Sequence, residues 1–298
     1  MFKIKWIFVA SIFLFGCSTP PTKVYQNNMD VLTGTLEKGA KDPLVIDENT
    51  LVIDTRSEFE YGIAHIPKSV RISPSELYDS RSKLRGQLRP DLFRWARRLA
   101  RLGIGPDGKV IVVGDVQSFS AGQVAWGLYY LGVDDVQFAS IGYFNQAMSN
   151  LKSKPYDPEK LWKPKLRRSL LVSAEEVSDY IHRGLSAKNR DGQRVIMLDV
   201  RLKDEFLRLR KIKKGFRKVN IDAYHVPYKE FFTKLGRPNT DIARKLLAIG
   251  VQKEDRLIII SNKGQRSAGV TMALLSLGFS NAGNFSLGYQ KLFENEAM

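Results

Sequence analysis

The chain has 298 residues, 43% hydrophobic and 26% charged, a balance that excludes disorder over most of its length and leaves room for two domains. Its formal charge of +16 favours anionic partners but says nothing about fold. One cysteine, Cys17, excludes an intramolecular disulfide and any cysteine-based metal cluster.

In chain order, MFKIKW supplies a charged start, WIFVASIFLF is an apolar run too short to span a bilayer comfortably, and LFGCS follows at once. Residues 1–16 read as a signal peptide, whose removal takes Lys3 and Lys5 away and leaves a charge of +14 (16 minus 2). LFGC at 14–17 resembles the lipobox of bacterial lipoproteins, with Phe15 departing from the small residues usual there, and this implies lipidation of Cys17. Ser18 resembles the choice that sorts lipoproteins to the outer membrane of diderm bacteria. The expectation is an exported protein on the outer membrane, facing the periplasm and partnered with the membrane through its N-terminal lipid. Nucleic acid is not an expected partner there, despite the charge. STPPTKVYQNN reads as an extended tether, so residues 17–34 form the lipidated N-terminus and tether.

Beyond residue 34 the sequence repeats itself. LVIDTRSEFEY (51–61) recurs as IMLDVRLKDEF (196–206), matching Asp54 to Asp199, Arg56 to Arg201 and Glu60 to Glu205. HIPKSVRISPSEL (65–77) pairs with VNIDAYHVPYKEF (219–231), matching Glu76 to Glu230. LGIGPDGKVIVVG (102–114) aligns without a gap to IGVQKEDRLIIIS (249–261), and SAGQVAWGLYYLG (120–132) answers SAGVTMALLSLG (267–278). These blocks keep one order and imply a duplication, with copies at 35–152 and 169–298. The 153–168 segment between them carries three prolines and many charges without a period, and reads as a linker.

Each copy alternates strand-like apolar runs with helical patterns, which predicts a parallel sheet flanked by helices on both faces, with its site on the loops leaving the carboxyl ends of strands. DLFRWARRLARLG (91–103) predicts a surface helix with Arg94, Arg97, Arg98 and Arg101 on one face and Leu92, Trp95, Leu99 and Leu102 on another. Ser173 is placed to cap a helix with Glu176 as its capping-box partner. RLRKIKKGFRK (208–218) has seven basic residues in eleven and reads as a solvated loop, or one touching anionic lipid.

These blocks resemble the rhodanese family. IDTR and EYGIAHIP within 53–67 are similar to that family's D-x-R and G-H-I-P signatures, and the second copy keeps Asp199, Arg201 and Pro227. The tandem arrangement over 35–296 resembles the thiosulfate and mercaptopyruvate sulfurtransferases. The resemblance implies an α/β fold of two rhodanese-like domains, the first catalytically silent, as FSAGQVAW at 119–126 also suggests. The extra residues between Phe206 and Val219 resemble an insertion in second units. In the active family the second unit has a six-residue loop, opened by cysteine and closed by arginine, whose backbone N–H groups converge on bound sulfur.

Here that loop is Ser261, Asn262, Lys263, Gly264, Gln265 and Arg266. Its length, Gly264 and Arg266 fit, but the nucleophile is absent, and the first copy's 114–119 loop has neither cysteine nor arginine. A serine hydroxyl needs a neighbouring base at neutral pH, and oxygen cannot form the sulfane species that sulfur transfer passes through. Cys17, as a tethered thioether, is no substitute. His65, His182 at a helix start and His225 on a strand read as packing or surface residues. The Asp54–Arg56 and Asp199–Arg201 pairs read as strand-end salt bridges rather than chemistry.

The favoured expectation is a binding module at the cell envelope without sulfurtransferase activity, all six loop residues being anion-binding candidates and a small anion or an envelope protein the partner. The alternative is a sulfurtransferase or phosphatase-like enzyme working through Ser261 and Arg266. A third reading keeps the loop only for its turn at Gly264. No metal and no cofactor is expected under any of them.

Overall fold

The computed structural model describes residues 32–34, 37–81, 84, 86–115, 119–150, 156–207, 210–212, 215–217 and 221–293. The expected signal peptide, Cys17, most of the tether and part of the 208–218 basic segment lie outside these. Among the described residues no helix is long and apolar enough to cross a membrane.

The first unit opens with β1 (Leu32–Thr33), at the end of the stretch read as tether, pairing antiparallel with β2 (Val45–Ile46). Then follow β3 (Thr50–Asp54), α1 (Glu58–Ile63), β4 (Val70–Arg71), α2 (Pro74–Leu77), α3 (Leu92–Arg101), β5 (Lys109–Gly114), α4 (Ser120–Leu131) and β6 (Asp135–Ser140). The sheet runs β4-β3-β5-β6, parallel throughout. Its central strands, TLVID and KVIVVG, are almost entirely buried because helices cover both faces, and so they carry continuous apolar runs rather than alternation. α3 starts at Asp91, which accepts the Arg94 amide at 2.9 Å, and buries Trp95, Ala96, Leu99 and Ala100 while its arginines face outward.

The second unit contains α5 (Ala174–Arg183), β7 (Val195–Asp199), α6 (Lys203–Leu207), the antiparallel pair β8 (Arg210–Ile212) and β9 (Gly215–Arg217), β10 (Tyr224–His225), α7 (Thr240–Ala248), β11 (Arg256–Ile260), α8 (Gln265–Ser276) and β12 (Ala282–Asn284). Its sheet, β10-β7-β11-β12, is parallel and repeats the first unit's strand order, so the duplication read in the sequence is also one of topology. The basic segment thus includes an antiparallel pair of short strands rather than being loop throughout. The capping box expected at α5 is half formed. Ser173 accepts the Glu176 amide at 3.1 Å, but the Glu176 carboxylate turns to Arg256, taking Nε at 2.7 Å and Nη2 at 3.2 Å. His182 lies in the last turn of α5, not at a helix start.

The two units share one interior. α4 is buried nearly all round because its outer face lies on α8, and Ala268 and Met272 of α8 join the first unit's core. The helices cross where a Cβ on Gly122 would stand 2.8 Å from the Gly269 Cα. Gly122 and Gly269 are equivalent in the repeat, so each copy meets its own counterpart, the signature of a twofold-like contact. The Glu37 carboxylate binds Thr233 Oγ1 at 2.5 Å and the Leu235 amide at 2.9 Å across the junction.

The 156–167 stretch, within the expected linker, has no helix or strand but is fastened to the first unit. The Tyr156 hydroxyl meets the Val52 amide and the Thr50 carbonyl at 3.3 Å each, Glu159 N donates to Ala100 O at 2.8 Å, and Trp162 Nε1 donates to Ile104 O at 3.0 Å.

Candidate functional site

In each parallel sheet the strands end at one carboxyl edge, and in the second unit β11 delivers the 261–266 loop there. Gly264 has φ of +75°, a left-handed conformation, and a Cβ on it would lie 2.3 Å from the Ser286 carbonyl oxygen. Turn and contact each require glycine. The loop is bounded on one side by the 286–289 segment, where Tyr289 N donates to Ser261 O at 2.7 Å. On another side stands Gly86 of the first unit, so close that a Cβ there would come within 1.9 Å of the Lys263 carbonyl oxygen.

Ser261 is buried, at 1% exposure. Its Oγ accepts from the Ser267 amide at 3.3 Å and meets Ser267 Oγ at 3.0 Å. Since Ser267 Oγ gives its own proton to Asn284 Oδ1 at 2.6 Å, the Ser261 proton points at Ser267. That acceptor is a hydroxyl, not a base. None of the three histidines bonds to it. His65 Nδ1 meets Tyr61 O at 2.8 Å, His182 Nδ1 meets Ser178 O at 2.7 Å, and His225 Nε2 meets Arg201 O at 2.9 Å while stacking on Phe206. A hydroxyl held this way lacks the activation that serine nucleophiles need.

The charges around the loop are arranged by Glu205, from α6. Its carboxylate takes Arg266 Nη1 at 2.6 Å and Nη2 at 3.0 Å, Asn262 Nδ2 at 2.6 Å and the Leu202 amide at 2.9 Å. Burial pushes the Glu205 carboxyl upward, but the hydrogen bonds from Arg266 and the Leu202 amide prevail and leave it below its ordinary value. Arg266 is therefore neutralised within the loop, and its guanidinium sits 5.4 Å from the centre of the Tyr228 ring. Lys263 has no carboxylate partner among the described residues, and the amides of Asn262, Lys263 and Gly264 have no acceptor among them. Three such amides beside a lysine at a helix start retain the capacity to hold an anion.

Two strand-end pairs frame this edge. Arg201 bonds Asp199 at 2.6 Å, both side chains buried, and lies 3.4 Å over the Tyr289 ring; Arg56 bonds Asp54 at 2.7 Å and donates to Ala64 O at 2.6 Å. Each arginine ties the strand end to neighbouring backbone or rings, a positioning role. The first unit's turn starts at Gly114, where a Cβ would stand 2.6 Å from Thr55 Oγ1, and Thr55 Oγ1 pairs with Ser120 Oγ at 2.8 Å. Residues 116–118 of that turn lie outside the described residues.

Between the units lies a cleft of about 280 Å³ lined by Phe119, Phe138, Tyr228 and Phe232, with Asp115 and Arg266 at its polar side. Burial, and next the nearby Glu60, raise the Asp115 carboxyl. Of the six loop residues only Arg266 lines this cleft. Sequence reasoning missed Glu205, Gly86 and the Ser267–Asn284 pair. The repeat had matched Glu205 to Glu60, but an alignment gives position and not partner.

A family model described as the rhodanese-like domain matches residues 36–147 and 183–295. No curated protein matches the chain. Solved structures of similar fold include SseA from Escherichia coli, described with the 3-mercaptopyruvate sulfotransferases, at 21% identity and a TM-score of 0.64 over 82% of this chain and 94% of that one. A variant of EanB in complex with hercynine is 16% identical, with a TM-score of 0.63 over 84% of this chain and 62% of that one. The anaerobic ergothioneine biosynthesis enzyme of Chlorobium limicola, with trimethyl histidine, is 15% identical, with a TM-score of 0.62 over 83% of this chain and 63% of that one. The chain thus spans less than two thirds of EanB and of the Chlorobium enzyme, and at these identities the likeness is one of fold.

Proposed function

The chain belongs to the rhodanese-like domain family, and from that premise we propose that it is a non-catalytic binding module of the bacterial cell envelope, holding a small anion or a protein at its 261–266 loop. The observation that carries the reading is the state of Ser261. Where sulfur transfer needs a thiolate, this chain has a buried hydroxyl whose proton goes to Ser267 and whose lone pair takes an amide. The unclaimed amides of Asn262, Lys263 and Gly264 support anion capture without chemistry.

Incubating the purified protein with thiosulfate and cyanide tests it. The expected outcome is thiocyanate at the buffer rate; formation above that rate would return the chain to the sulfurtransferases. With the same preparation, sulfate raises the melting temperature, and Lys263→Ala diminishes the rise. If sulfate leaves the melting temperature unchanged, the anion-binding half of the reading fails.

Placement at the envelope is supported by residues 1–17 alone: a charged start, an apolar run and LFGC. The lipid on Cys17 holds the protein to the outer membrane, facing the periplasm. Cys17→Ser then moves it to the soluble fraction, and unchanged fractionation would refute the anchor.

A further inference from the structure

The geometry points to a second anion site, on the first unit and away from the 261–266 loop: an arginine-lined groove that takes an extended ligand bearing several phosphate groups. Arg81, Arg89, Arg94, Arg97, Arg98 and Arg101 all line one open groove of about 1060 Å³ where the segment after α2 meets α3. Three carboxylates share its wall, so among the described lining residues six cations against three anions leave an excess of three positive charges.

The acids are already engaged. Glu76 accepts the Ser73 amide at 3.0 Å and lies 3.5 Å from Arg98, Asp79 holds Arg81 at 2.5 Å, and Asp91 caps α3 through the Arg94 amide. Arg89 is spent on backbone, donating to Ser75 O at 2.9 Å and Tyr78 O at 3.3 Å. Arg94, Arg97 and Arg101 remain exposed, without a carboxylate partner among the described residues. Arg98 and Arg101 stand in the last turn of α3, where the helix dipole favours them, whereas Arg94 and Arg97 lie before that turn. Arg97 instead stacks 5.4 Å from the centre of the Phe93 ring, which is 39% exposed.

Among the described residues every cation lining this groove is an arginine. The planar guanidinium offers paired donors that match the oxygens of a phosphate, and it is more weakly hydrated than an ammonium group. The groove is far larger than one phosphate requires, so several anionic groups on one molecule fit it better than a single ion. The Phe93 ring adds an apolar surface beside them. Clustered phosphates of this kind come from a soluble oligophosphate or from anionic phospholipid headgroups, and the test separates these sources.

The full chain in neutral detergent is titrated by calorimetry, in one arm with inorganic triphosphate and in the other with micelles containing phosphatidylglycerol against phosphatidylcholine alone. Heat of binding is expected in at least one arm, and the arm identifies the source. In the variant Arg94→Gln/Arg97→Gln/Arg101→Gln the affinity falls at least about tenfold, because three charge-assisted contacts are lost. A control of equal charge change at exposed sites elsewhere, Lys160→Gln/Lys188→Gln/Lys253→Gln, binds like the parent. No binding in either arm, undiminished binding by the arginine variant, or equal losses in both variants would overturn the proposal.

Discussion

In the first unit the strand-to-helix turn begins at Gly114, and the room a side chain would need is taken by Thr55 Oγ1, 2.6 Å from where a Cβ would stand. In the second unit it begins at Ser261, whose hydroxyl fills the corresponding space and bonds Ser267. Thr55 pairs with Ser120 at the first helix much as Ser261 pairs with Ser267 at the second. Each copy therefore gives the first serine of its helix a hydroxyl partner, one from the neighbouring strand end and one from the loop itself. The lesson is that the head of this turn is a packing position in both copies: what stands there, or fills the space beside it, satisfies the hydroxyl of the helix's first serine.

The strongest way to break that comparison is to put a thiol at each position. Ser261→Cys places sulfur among unclaimed amides at a helix start, and its alkylation rate should titrate with a midpoint below the ordinary thiol value of about 8.5. Attack of the thiolate on the outer sulfur of thiosulfate, breaking its S–S bond and releasing sulfite, should leave one added sulfur on that residue, read by mass spectrometry. Gly114→Cys should do neither and should lose about 1–3 kcal/mol of stability in urea unfolding, since Thr55 must move. Equal reactivity of the two thiols would mean the copies had not diverged in the way described.

A smaller effect separates the matched glutamates. Glu205 clamps Arg266 and Asn262, whereas among the described residues Glu60 accepts only from Ser57, closing a capping box with its amide at 3.1 Å. Glu205→Gln should cost roughly 1–3 kcal/mol, because a half-buried guanidinium loses its charged partner. Glu60→Gln should cost about 1 kcal/mol or less. Urea midpoints read both, and reversed magnitudes would show the clamp to be unimportant.

The smallest effect is the pH dependence of that gap. Glu205 is lowered on folding, burial opposing and the Arg266 and Leu202 hydrogen bonds prevailing. A depressed carboxyl contributes its stability above the unfolded value, near 4.3, and gives it up as the pH falls through the folded value. The difference between parent and Glu205→Gln should accordingly be constant near neutrality and shrink below about pH 4. A gap that widened in acid would contradict the sign.

Much of this fold was legible because its central strands are unbroken apolar runs and its copies keep their order. VIMLD and RLIII are buried at every position, as continuous runs in a two-sided sheet must be. What escaped was whatever depended on distant partners. Glu176 had the spacing of a capping box, yet Arg256, eighty residues away, offered a stronger bond. Tyr156 and Trp162, in a charge-rich run without period, gave no sign that the linker would be fastened down. At the site the loop and the serine at its head were plain in the letters, but the Glu205 clamp, the Ser267–Asn284 relay and the covering glycine came only from folding.

Gly86 sits in the copy that has no loop arginine and rests against the Lys263 carbonyl of the copy that has one. Even a methyl group there would intrude on the other copy's 261–266 loop, so a change in the first unit registers in the second. Gene duplication produced two descendants, and this touch of backbone on backbone obliges them to be inherited as one.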